Sequence, residues 1–218
     1  MKKKVLLSLV LLTMVTVSMV FAQEDAKRKM KFATVPGGLS VVAMSGISGD
    51  IEIPDTYDGK KVVLIPTNAF KGQRGITGVI IPDSVIEIGN SAFQDCTGII
   101  EIKMGDGVTT IGIKAFAGCY TMRAFKGANI GANLKTIRSS AFEGCYRLER
   151  IWIRSNVKYI EDKAFFGCTA INRVHFQSPD TRIGSNAFPN NDVLIEAYKA
   201  GGKGPYDVVG KTWVRKDS

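Results

Sequence analysis

Apolar positions in this chain recur in blocks of fixed length, anchored on one dipeptide. Ala-Phe appears at Ala69-Phe70, Ala92-Phe93, Ala115-Phe116, Ala141-Phe142, Ala164-Phe165 and Ala187-Phe188, with steps of 23, 23, 26, 23 and 23 residues between successive alanines. Aligned on that pair, the other apolar positions fall into columns. Seven residues before Ala stand Val62, Val85, Val108, Leu134 and Val157, with Asp180 breaking the column in the last unit. Four before stand Ile65, Ile88, Ile111, Ile137, Ile160 and Ile183. Three after Phe stand Gln73, Cys96, Cys119, Cys145, Cys168 and Asn191. A period in the twenties marks a solenoid, in which one unit cannot bury its apolar face alone and must stack on its neighbours.

Each unit ends in a period-2 alternation. Ile151 and Ile153 alternate with Arg150, Trp152 and Arg154, the pattern of a half-buried strand. The Val-x-x-Ile stretch reads as a second, shorter extended piece, and Ala-Phe-x-x-Cys as a tight or 3₁₀ turn with Phe inside. No part of the repeats sustains a helical period. The expected fold is mainly β: stacked parallel short strands, irregular or 3₁₀ structure opposite, and six coils of 23–26 residues plus caps. The three extra residues of the long step fall within 126–133, where a surface bulge is expected. Domain boundaries follow: 23–61 an N-terminal arm and cap, 62–197 the repeats, 198–218 a Gly-rich C-terminal cap or tail.

The run Ile81-Pro82-Asp83-Ser84-Val85-Ile86-Glu87-Ile88-Gly89-Asn90-Ser91-Ala92-Phe93-Gln94-Asp95-Cys96 closely resembles the unit of BspA-like, treponeme-type leucine-rich repeat proteins. The resemblance extends over about Leu39 to Tyr198. It implies a leucine-rich-repeat solenoid, secreted or surface-exposed, of bacteria or protists. Some relatives are implicated in attachment to host proteins and in contact between microbial cells. The family offers no catalytic residues to carry over.

The N-terminus reads as a signal peptide over residues 1–22. Lys2, Lys3 and Lys4 precede an apolar run from Val5 to Phe21, and Val20-Phe21-Ala22 supplies small residues for cleavage. An uncleaved anchor is the competing reading of that run; no later segment is long and apolar enough to span a bilayer. The mature chain is therefore expected in the periplasm, on the outer surface or outside the cell. The whole chain carries a formal charge of +9. Without the three leader lysines it carries about +6, a moderate bias compatible with an anionic partner.

Four cysteines in an exported chain first suggest two disulfides. Here all four share one column. Stacked, in-register side chains have parallel Cβ vectors, which strains a bridge. A ladder of free buried thiols is the expected arrangement, and zinc would need closer paired spacing. No metal and no cofactor are expected. Nor is catalysis: the lone His175 has no nucleophile in a recognisable context, and Asp83, Asp106 and Asp162 sit at turn positions.

Binding is expected on the polar positions of the strand. Stacking aligns Lys103, Lys126, Trp152 and His175 in one column, flanked by Arg150 and Arg173 on one side and Arg154 on the other. Trp beside Arg is the composition of interaction hot spots, against the plainer reading of a solvated face with one incidental aromatic. The candidate partner is a protein or an anionic glycan; export argues against nucleic acid. Two functional readings remain at this point: a non-enzymatic interaction module, including host or cell–cell attachment, and a structural or assembly component of the cell envelope.

Overall fold

The computed structural model describes residues 29–125, 130–209 and 212–216. The leader and its cleavage point lie outside these residues. The N-terminal cap comprises β1 (Met30–Val35), β2 (Gly38–Ala43), β3 (Gly49–Glu52) and β4 (Thr56–Tyr57). Two walls of parallel strands follow. One contains β5 (Lys60–Ile65), β7 (Glu87–Ile88), β9 (Thr110–Ile111), β11 (Thr136–Ile137), β13 (Tyr159–Ile160) and β15 (Arg182–Ile183). The other contains β6 (Ile76–Ile80), β8 (Glu101–Lys103), β10 (Ala124–Phe125), β12 (Arg150–Ile153) and β14 (Arg173–Phe176). Helix α1 (Asn191–Gly201), β16 (Gly204–Val209) and β17 (Thr212–Arg215) close the C-terminal end.

Between the walls lies the apolar interior. The column residues Val85, Ile88, Phe93, Cys96, Ile99 and Ile102 are each fully buried, and their equivalents in the next coils repeat the burial. The six phenylalanines form one continuous stack. Centroid separations from Phe70 to Phe188 are 4.8, 5.1, 5.2, 5.1 and 4.9 Å, with ring planes 3–14° apart. That spacing is set by the backbone: each Phe N–H from Phe70 to Phe165 donates to the Ala carbonyl of the following coil, at 2.7 Å for Phe93 to Ala115. The ring separation is therefore the inter-strand distance.

The turn expected at Ala-Phe-x-x-Cys is present, because Cys96 N–H donates to Phe93 carbonyl at 3.2 Å and the other coils repeat the bond. Each turn contains left-handed residues. The second residue after Phe has positive φ in every coil: Gly72, Asp95, Gly118, Gly144, Gly167 and Asn190. Glycine, Asp and Asn are the residues that occupy this region at least cost, which explains that column's composition.

The long step falls in the second wall. Ile130 is fully buried in the seat taken by Met104 one coil earlier and Ile153 one coil later. Ala132 N–H donates to Asp106 Oδ1 at 2.9 Å, as Asp106 N–H does to Asp83 Oδ1 at 2.8 Å. The register is therefore restored by Ile130, and the bulge expected within 126–133 falls in part on 126–129, outside the described residues. Among the described residues the wall comprises two sheets, β10-β8-β6-β3 and β12-β14-β16-β17, with Glu149 N–H donating to Arg123 carbonyl between them at 3.2 Å.

At the C-terminal end, where the sequence predicts a cap or tail over 198–218, the chain forms two strands. β16 pairs antiparallel with β14, and β17 with β16. Phe176, Tyr198 and Tyr206 pack together beneath this hairpin, with Phe176 and Tyr198 centroids 4.4 Å apart. The Tyr206 hydroxyl donates to Gly202 carbonyl at 2.6 Å, and Trp213 Nε1 to Pro189 carbonyl at 3.0 Å. The apolar edge of the last coil is thereby covered.

Candidate binding face

The four cysteines are free and buried. Each thiol donates to the carbonyl of the preceding coil's Phe: Cys96 to Phe70 at 2.9 Å, Cys119 to Phe93 and Cys145 to Phe116 at 3.3 Å, Cys168 to Phe142 at 3.0 Å. Burial pushes the Cys96 thiol from 9.0 up to about 12, and raises Cys119 and Cys145 strongly. Such thiols are poor nucleophiles and poor metal ligands. Asn191 meets the same need differently. Its Oδ1 accepts from Phe188 N–H at 3.1 Å and its Nδ2 donates to Gly184 carbonyl at 3.2 Å.

The turn acids are likewise structural. Asp83 and Asp106 each hold a backbone N–H of the next coil, and Asp162 Oδ1 accepts from Ser185 N–H at 2.7 Å. Among the described residues no group of three or more His, Cys, Asp or Glu is placed to hold a metal.

On the strand wall, in-register pairing sets Arg150 beside Arg173 and Trp152 beside His175. The Trp152 and His175 rings lie 6.1 Å apart with planes 28° apart. Both are half-buried, Arg150 is exposed, and Arg154 follows β12 half-buried. Lys103 is exposed on β8, in the other sheet, with β10 intervening. Lys126 lies outside the described residues. Arg150, Trp152, Arg173 and His175 thus share one sheet, Arg154 directly follows it, and Lys103 lies in the other.

Within that group Arg173 has a partner that the repeat pattern gave no reason to expect. Its guanidinium makes a two-pronged ion pair with Asp207 of β16, Nε to Oδ1 and Nη2 to Oδ2 at 2.6 Å. The hydrogen bonds from Arg173 hold the Asp207 carboxyl below its ordinary value, and the pairing raises Arg173. Partial burial and the Arg173 charge lower His175, keeping the imidazole neutral near pH 7. Arg173 is therefore a clasp between repeat and cap. The signal for it lay in the alternation of Tyr206 and Val208 with Asp207 and of Trp213 with Val214, two short strand patterns within the presumed tail.

A second exposed aromatic row lies on the turn side. Tyr120 and Tyr146 stack at 5.3 Å, and Phe166 is 46% exposed on the next coil. It occupies turn positions, which strand periodicity does not examine.

Stacked parallel short strands, columns of buried aliphatics and a continuous phenylalanine stack define a leucine-rich-repeat solenoid. The chain belongs to the BspA type leucine rich repeat family, whose family model matches residues 63–194 in six copies. It is similar to a leucine rich cell surface protein from Faecalibacterium prausnitzii A2-165, at 30% identity and TM-score 0.61, over 68% of this chain and 38% of that one. A leucine-rich repeat protein from Bacteroides ovatus is 28% identical at TM-score 0.57, over 74% of this chain and 40% of that one. The T. pallidum leucine rich repeat protein, 21% identical at TM-score 0.60, shares the fold over 81% of this chain and 96% of its own. The chain thus spans well under half the length of the first two. No curated protein is matched. Among the described residues no helix is long and apolar enough to cross a membrane.

Proposed function

We propose that this is an exported, non-enzymatic attachment module that engages a protein partner through the outer face of β12 and β14. The observation that carries the reading is the register of those strands, which gathers Arg150, Trp152 and His175 on one rigid, solvent-facing patch. Trp152 supplies a large apolar contact of low conformational entropy, and its half-buried setting holds it in place. Arg150 sets an acidic preference, since cations at an interface rim steer and select partners of opposite charge. Export rests on the leader and on the similarity to a cell surface protein.

Trp152→Ala and Arg150→Glu provide the test, in a pull-down from whole-cell or host-surface extracts with the mature protein. Both variants should fold as wild type, because neither side chain enters the core. Each should lose the captured partner, and the Arg150→Glu loss should be greater at low salt. A validated partner held by both variants as tightly as by wild type would place binding elsewhere, with the Tyr120–Tyr146 row next in line.

A further inference from the structure

The outer face of β14 does not end at the last repeat. His175 is in register with Pro205 of β16, and Lys216 N–H donates to Pro205 carbonyl at 2.9 Å. One row therefore runs Trp152, His175, Pro205, Lys216 across four strands. At the end of this row lies a groove of about 430 Å³ lined by His175, Gln177, Lys203, Arg215 and Lys216, with Phe176, Gly204 and Pro205 as its apolar floor. Among the described residues no acid lines it. Asp207, on β16 beside the groove's Pro205, is committed to Arg173.

We propose that this groove is the anchor of the binding face and takes a side-chain carboxylate from an extended acidic polypeptide lying along the row. The inference rests on the strand-face reading above and extends it to a named chemistry. The row itself favours a polypeptide: it begins at Trp152, which offers an apolar contact, and ends at the cations of the groove. Arg173 is clasped by Asp207, and Arg215 Nη1 donates to Gly201 carbonyl at 2.7 Å. The cations that remain, Lys203 and Lys216, are exposed ammonium groups, compact point charges suited to one carboxylate. Strands lie about 4.8 Å apart, so Trp152 to Lys216 spans about 14 Å, the reach of roughly four residues of extended peptide. An apolar residue on Trp152 and an acidic one in the groove would fit that span.

Poly-L-glutamate and dextran sulfate are the probes, titrated into the mature protein at about 0.15 M salt, where screening acts beyond about 8 Å. The paired change Lys203→Glu/Lys216→Glu should weaken poly-L-glutamate binding at least about tenfold, and Lys203→Gln/Lys216→Gln should weaken it less. The same charge reversal on the opposite wall, Lys135→Glu/Lys158→Glu, should change it by less than about twofold. Far-ultraviolet circular dichroism establishes that each variant is folded; if the Glu pair is not, the Gln pair and Trp152→Ala carry the comparison. Equal losses from both walls would mean diffuse charge attraction and overturn the proposal, as would dextran sulfate binding as tightly as poly-L-glutamate. Wild-type binding by the lysine variants with loss in Trp152→Ala would overturn the groove while leaving the strand face standing.

Discussion

Replacing Phe116 by Ala tests the central feature of the fold. The ring is fully buried and sits between Phe93 at 5.1 Å and Phe142 at 5.2 Å, with planes 3° and 4° apart. Removing a buried Phe ring costs about 3–5 kcal/mol through lost transfer energy and an unfilled cavity. Each aromatic pair contributes a further ~0.5–1.5 kcal/mol beyond its area. The site cannot collapse to fill the gap, because the Phe116 backbone is tied to Ala141 carbonyl and its own carbonyl accepts Cys145 Sγ. The expected loss therefore lies at or above the upper end, about 5 kcal/mol. Phe70 ends the stack and has one ring neighbour in it, Phe93 at 4.8 Å. Phe70→Ala should accordingly cost about 0.5–1.5 kcal/mol less than Phe116→Ala. Urea unfolding followed by circular dichroism measures both, with the denaturant slope checked because repeat arrays can lose cooperativity. A Phe116→Ala loss below about 2 kcal/mol, or a larger loss at Phe70, would refute the claim that the continuous stack holds the coils together.

Four further outcomes follow from other parts of the molecule. Native protein should react slowly with a thiol-reactive dye and release four thiols on unfolding; mass measurement showing disulfides would contradict the free ladder. Because the folded Cys96 thiol titrates near 12 instead of 9.0, its contribution to stability is complete below pH 9 and is lost as pH rises toward 12, which an alkaline denaturation series in reductant detects. Asp207→Asn should loosen the C-terminal hairpin, seen as a red shift of buried Trp213 emission in a Trp152→Phe background; acid should do the same, since a carboxyl with a lowered folded value supports stability above its ordinary range and loses it as pH falls. Ile130→Ala should cost about 2–5 kcal/mol if Ile130 fills the column seat, and a near-neutral result by thermal unfolding would mean the long coil is only loosely attached.

The repeat made the solenoid legible in the sequence. Columns of Val, Ile, Phe and Cys recur because each coil must present the same apolar atoms to its neighbours at one strand spacing, so periodicity alone determines stacking, the buried phenylalanines and the aligned thiols. The strand positions of Arg150, Trp152, Arg154, Arg173 and His175 followed from the same arithmetic. Tertiary structure decided what periodicity cannot carry. Strand pairing set Arg150 against Arg173 and Trp152 against His175 in one sheet, while Lys103 stands in the other. The hairpin of β16 and β17 folded back on β14, bringing Asp207 to Arg173 across 34 residues of chain and Lys203 and Lys216 to the edge of the face. Such contacts arise once, from the need to cover the last coil's apolar edge, and a contact made once leaves no period to read.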